Sequence, residues 1–227
     1  MPLFMANVRH PLWFLFIFLI PLETVAQTPD IQGLLEKIES AYAEVTDYRV
    51  KMEVRTYSKD HSYQSEKFLY TFKKPKSIRI DLESPHPGMV LIYPDKKGKV
   101  GVRPSGWASF IKLSLTPDSF LLKTSSGQSI DQTDIGFLIG NISRSLTDER
   151  FSGPEFKDDG RFVRFRVLAE NHFKKGARTR YEFLIDKIKL LPIEVRESTP
   201  DNVLERRIIF NDLQVNIGIK DSFFQLK

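Results

Sequence analysis

The chain of 227 residues contains no cysteine. That absence excludes disulfides, thiol nucleophiles and thiolate metal centres. It also removes the lipidated cysteine that tethers a bacterial lipoprotein. Histidine is scarce: His10, His61, His86 and His172 are all there are, and no two sit at ligand spacing. No metal site and no cofactor is expected. Phosphate-cradling glycine loops, a dinucleotide fingerprint and a nucleophile elbow are missing as well. Charge of one sign never accumulates. The net charge is +5, and the basic residues come as short pairs such as Lys73-Lys74, Lys96-Lys97, Lys174-Lys175 and Arg206-Arg207. Such pairs read as solvated faces and turns, or as a weak attraction to an anionic membrane surface. They do not make a nucleic-acid footprint, so no nucleic-acid partner is expected.

Long apolar runs are lacking too. Residues 12–20 form an unbroken apolar stretch of nine, closed by Pro21. Spanning a bilayer takes roughly 20 such residues. With Arg9 before it and Thr24, Val25 and Ala26 after it, the stretch has the layout of a secretory signal. Cleavage near Ala26 is predicted, which leaves residues 27–227 as one soluble, monomeric domain in the periplasm. Without disulfides, that domain must be stable through its core alone, and some 200 residues suffice for one.

What is present is alternation. Tyr48, Val50, Met52 and Val54 share one face of a strand whose other face carries Arg49, Lys51, Glu53 and Arg55. Phe68, Tyr70 and Phe72 repeat the pattern, as do Ile78, Ile80 and Leu82 against Arg79, Asp81 and Glu83. Strands wet on one side with short connections predict an antiparallel meander. Residues 89–93 and 99–103 flank the turn of Pro94, Asp95 and Gly98. Residues 107–115 alternate poorly, although another strand is possible there. From Phe162 the alternation resumes through four or five further strands.

Two segments have helical spacing. Ile31, Leu34, Leu35, Ile38, Ala41 and Tyr42 form one stripe after Asp30, a helix start, and predict a helix to about residue 44. Ile135, Leu138, Ile139, Ile142 and Leu146 form a second, with Asp131 as the expected cap and Asp134 in the first turn. Gly136 and Gly140 soften this second helix by about 1 kcal/mol each relative to Ala. The fold class is therefore α+β, mostly β. A single antiparallel sheet of about 9–11 strands must curl, and the two helices are the candidates to cover its concave side.

Catalytic candidates are few. Asp81 and Glu83 point the same way, as a glycosidase pair would, but Arg79 shares that face and an ion-paired surface is the simpler reading. Asp158, Asp159 and Gly160 read as a turn. The protein is not expected to be an enzyme.

Three segments carry a family likeness. They are Phe72-Lys73-Lys74-Pro75-Lys76-Ser77-Ile78-Arg79, then Leu191-Pro192-Ile193-Glu194-Val195, and the last strand from Ile208 to Asn216 with Ser222-Phe223-Phe224 after it. Together with the order of elements they resemble the LolA/LolB-like superfamily of exported lipoprotein and lipid carriers, which also includes envelope-stress sensors of the RseB type. The stretch 88–103 resembles a less characterised, lipoprotein-sorting-like branch. The resemblance implies an open half-barrel with helices across its mouth and acyl chains bound between them. In the carrier proper an arginine before the proline latches the helical lid. Lys74 matches it here, and a lysine offers a point charge in place of a planar fork, so release control is not carried over.

On this reading Val50, Met52, Val54, Phe68, Tyr70, Phe72, Ile78 and Ile80 line an apolar cavity, and Ile135, Leu138, Ile139 and Ile142 close it. The partners would be an acylated lipid or lipoprotein, with envelope membrane proteins as donor and acceptor. The same side chains would equally make a dry core. The competing function is a non-catalytic envelope-stress sensor or protein-interaction module that uses a sheet edge or the 107–120 loop.

Overall fold

The computed structural model describes residues 31–119, 122, 129–147 and 155–226. The predicted signal segment, the Asp30 cap and Phe120 lie outside them. Eleven strands form one sheet: β1 (Asp47–Tyr57), β2 (Tyr63–Lys73), β3 (Ser77–Ser84), β4 (Val90–Tyr93), β5 (Val100–Arg103), β6 (Leu113–Leu115), β7 (Glu155–Asp158), β8 (Phe162–Glu170), β9 (Arg178–Asp186), β10 (Leu191–Ser198) and β11 (Leu204–Val215). The spatial order is β6-β5-β4-β3-β2-β1-β11-β10-β9-β8-β7, antiparallel throughout. Two meanders thus meet where the first strand pairs with the last. Helices α1 (Ile31–Ala43) and α2 (Ile135–Thr147) accompany the sheet, which makes the α+β half-barrel that the alternation and the family resemblance predict.

The alternation sets the faces. Tyr48, Tyr70 and Ile80 belong to the inner face, together with Phe165, Tyr181, Phe183 and Val195, and all of them are buried. Aromatic rings pave this surface: Tyr48 stacks with Phe72 at 5.1 Å and with Tyr70 at 5.9 Å, and Phe183 lies 5.0 Å from Phe165. Such pairs add about 0.5–1.5 kcal/mol each beyond the area they bury.

Four features depart from the sequence expectation. First, α2 is capped by Asp134, whose Oδ1 accepts from the Phe137 N–H at 3.0 Å. Asp131 sits instead in a short 3₁₀ turn at Ile130–Gln132, begun by Ser129 and Gln132 as a capping box. Second, residues 107–115 split into a 3₁₀ turn at Gly106–Phe110 and a three-residue edge strand, β6. Third, β7 is an additional edge strand, too short and polar for its alternation to register.

Fourth, the outer face is not wet throughout. Register places Val90 and Ile92 on the outer side, beside Asp81 and Arg79, yet both are buried. The C-terminal segment covers them. Asn216, at φ +56°, occupies the left-handed region that asparagine tolerates. The chain then crosses the rim of the sheet, where the buried Asp47 carboxylate accepts from the amides of Ile217 at 2.9 Å and Ile219 at 3.2 Å. A 3₁₀ turn at Asp221–Phe224 buries Phe224. Gly101 has no side chain because there is no room for one: a Cβ would lie 2.9 Å from Ile92 Cγ1 and 3.2 Å from Leu226 Cδ1.

Candidate functional site: the concave face and the helix across it

The inner face of β1–β3 brings together the side chains predicted to line a cavity. Val50, Met52, Tyr70, Phe72, Ile78 and Ile80 are buried in one apolar cluster with Ile135, Ile139 and Ile142 of α2. Phe68 and Leu138 are half-buried and pack against it. Val54 is buried but stands outside that cluster. In this state α2 supplies the apolar side chains that cover the floor.

Polar groups hold α2 in that seat. The Ile135 N–H, an orphan donor of the first helical turn, donates to Tyr48 Oη at 3.0 Å. Tyr70 Oη and Thr133 Oγ1 are 3.0 Å apart. Tyr42 of α1 donates to Asp134 Oδ1 at 3.4 Å. Burial raises the ionisation point of Tyr42, Tyr48 and Tyr70 above the ordinary phenol value, so all three stay neutral. At the other end, Ser145 Oγ lies 2.8 Å from His172 Nε2. The His172 ring stacks on Tyr181 at 4.1 Å, and Phe173 stacks on Phe137 at 6.2 Å. Gly136 admits the Tyr42 ring, since a Cβ there would lie 2.5 Å from Tyr42 Cε1. Gly140 faces open space.

His172 lies in the polar turn between β8 and β9, but its ring folds inward onto Tyr181. Burial and the nearby Arg144 push its pKa down to about 3, so it is neutral at physiological pH. Nothing in the local sequence marks this, because the partners are remote in the chain. Ser145 and His172 are also the nearest approach to a catalytic pair. Ser145 is only 4% exposed, and among the described residues no carboxylate hydrogen-bonds to the imidazole to orient it, unlike a triad. The pair acts as a tether. Asp81, for its part, is held by Arg79 through two bonds of 2.7 and 2.8 Å, the ion-paired face expected from the sequence.

Lys74 reaches α1 and not α2. Its ammonium donates to the carbonyls of Tyr42 at 2.9 Å and Ala43 at 2.7 Å and sits over the Tyr42 ring. A cation here binds the last carbonyls at the negative end of α1, where the Tyr42 carbonyl also accepts from the Val45 N–H at 3.1 Å. It holds α1, and α1 in turn holds α2 through Tyr42.

No family model and no curated protein matches the chain. Solved structures of similar outline include a DUF1329 family protein from Desulfovibrio piger, with 12% identity over 86% of this chain and 97% of that one and a TM-score of 0.46. A LolA superfamily protein from Nitrosomonas europaea matches with 10% identity over 86% and 96%, at a TM-score of 0.39. The MucA/MucB complex structure from Pseudomonas aeruginosa matches with 14% identity over 86% of this chain and 60% of that one, at 0.45. These likenesses concern the course of the chain. What those proteins bind stays with them.

Proposed function

We propose that the protein is a non-catalytic carrier, exported after removal of residues 1–26, that takes the acyl chain of a lipid or lipoprotein against the concave face by displacing α2. The observation that supports this reading most is the seating of α2. An amphipathic helix with two glycines lies across a floor of aromatic and branched side chains, tied down by a few hydroxyl bonds at its ends. A hydrocarbon chain offers the floor the same apolar contact. Each shielded methylene contributes about 0.8 kcal/mol, so a long chain competes with the helix on similar terms.

The test is to purify the mature protein from its native membranes and identify co-extracted lipid by mass spectrometry. In parallel, the delipidated protein is titrated with monopalmitoyl glycerol, an uncharged single-chain ligand. A saturable rise in melting temperature is expected, because a ligand that binds only the folded state stabilises it. No bound lipid and no rise would overturn the reading.

The second reading, an interaction module without cargo, rests on the edge of the first meander. Trp107 and Phe110 are 86% and 76% exposed beside edge strand β6. Isolated exposed side chains are ordinary, whereas two exposed aromatics beside an unpaired strand edge suit a docking site. Retention on envelope fractions that survives lipid extraction and disappears in Trp107→Ala would favour this reading over carriage.

A further inference from the structure

The outer face divides into two electrostatic halves. Across β8–β11 Arg164, Arg166, Arg196 and Arg207 each find an acid, while Arg180 binds the Pro200 carbonyl. Arg166 binds Glu182 at 2.6 Å, Arg196 binds Glu182 at 3.2 Å and Glu194 at 2.5 Å, and Arg207 binds Glu194 at 2.7 Å. The Arg207 and Arg196 bonds outweigh the effect of burial on Glu194 and hold its carboxyl below the usual range.

Over β1–β5 the pairing is incomplete: Lys51 binds Asp212, Arg55 binds Glu53 and Lys73 binds Asp221, but the cations around one cleft are not all matched. A half-open cleft of about 470 Å³ lies between the sheet and the C-terminal segment, with Arg49, Arg79, Arg103 and Lys220 among its walls. Arg79 is spent on Asp81 and the Phe223 carbonyl. The other three cations have no carboxylate partner among the described residues. The Nε atoms of Arg49 and Arg103 are shut off from solvent with no hydrogen-bond partner there. Arg164 and Arg180 share an unpartnered Nε, but their terminal nitrogens are held by Glu182 and by the Pro200 carbonyl. Leaving buried donors on a cation unmade costs free energy, and an anion in the cleft recovers it only by drawing the guanidiniums toward itself. The Arg49 and Arg79 guanidiniums lie 5.0 and 4.6 Å from the Phe223 ring centre, which fixes them beside the cleft.

We infer that this cleft is a binding site for a phosphate group carried on a partly apolar molecule. Two guanidinium forks and an ammonium match a phosphate, which accepts several charge-assisted bonds and bears more than one negative charge. The volume is that of a small-molecule pocket rather than of a bare ion. Ile217, 44% exposed, and Leu226 supply an apolar flank. The cleft lies on the opposite side of the sheet from α2, so the inference stands or falls independently of acyl carriage.

The experiment uses the delipidated mature protein and three probes: inorganic phosphate, lysophosphatidic acid and uncharged monopalmitoyl glycerol. The readouts are calorimetric affinity and the Nε–H resonances of Arg49 and Arg103. Both phosphate probes are expected to move those resonances, and the uncharged probe to leave them in place. Arg103→Gln combined with Lys220→Gln is expected to weaken lysophosphatidic acid binding at least tenfold. Neither substitution removes a bond seen in the fold, and unchanged urea stability would verify that. A gain in affinity of lysophosphatidic acid over phosphate that the double variant abolishes assigns the amphiphile as the ligand of the cleft, and phosphate binding lost in the double variant without such a gain assigns free phosphate. Unmoved arginine resonances, or an affinity within twofold of the parent in the double variant, would overturn the site.

Discussion

His172 carries the clearest pH signature in the molecule. In the unfolded chain its pKa is about 6.5, and in the fold burial and Arg144 lower it to about 3. Between those values the unfolded state binds more protons than the folded state. The His172 contribution is therefore fully present above about pH 6.5 and is lost progressively as the pH falls toward 3, with a limiting slope of about 1.4 kcal/mol per pH unit. Carboxylates such as Glu194 and Asp186, held low in the fold, lose stabilisation in the acid part of the same range. The comparison with His172→Phe separates them. Phenylalanine keeps a ring over Tyr181 and cannot titrate. Urea denaturation at pH 7, 6, 5 and 4 is expected to show a shallower loss of stability in the variant. Equal slopes would mean that the imidazole is not buried as described.

At the scale of the element, the two glycines of α2 separate packing from propensity. Alanine at Gly140 meets open space and removes the entropic cost of glycine, so Gly140→Ala is expected to stabilise the fold by about 0.5–1 kcal/mol. Alanine at Gly136 drives a methyl into the Tyr42 ring. The overlap is expected to exceed the propensity gain and leave Gly136→Ala destabilised by about 1–3 kcal/mol. Chemical denaturation of the pair checks both signs. From sequence alone the glycines were equivalent softeners. The period of α2 was legible because Ile135, Ile139 and Ile142 repeat on one face, while its cap was not. Asp131 and Asp134 are the same residue type three positions apart, and only the 3₁₀ turn at Ile130–Gln132 decides between them.

Taken as a whole molecule, the sheet was the legible part. Tyr48, Val50, Met52 and Val54 alternate cleanly because one side of β1 is dry and the other largely wet. Such strands predicted the antiparallel order and the need for helices on the concave side. The outer cleft was illegible for the converse reason. Val90 and Ile92 face away from the main core, and what buries them is the irregular stretch 216–226, which has neither a helical nor a strand period. Arg49, Arg79 and Arg103 come from three different strands, so their meeting is a fact of register alone.

The account depends most on α2 being exchangeable for a hydrocarbon chain on the same apolar floor. Amide hydrogen exchange over Ile135–Thr147, followed with and without saturating monopalmitoyl glycerol, tests that directly. The account predicts that the ligand lowers protection of α2 by at least tenfold while the amides of β1 and β2 keep or gain theirs. Unchanged or increased protection of α2 at saturating ligand would contradict it and leave the helix a permanent part of a dry core.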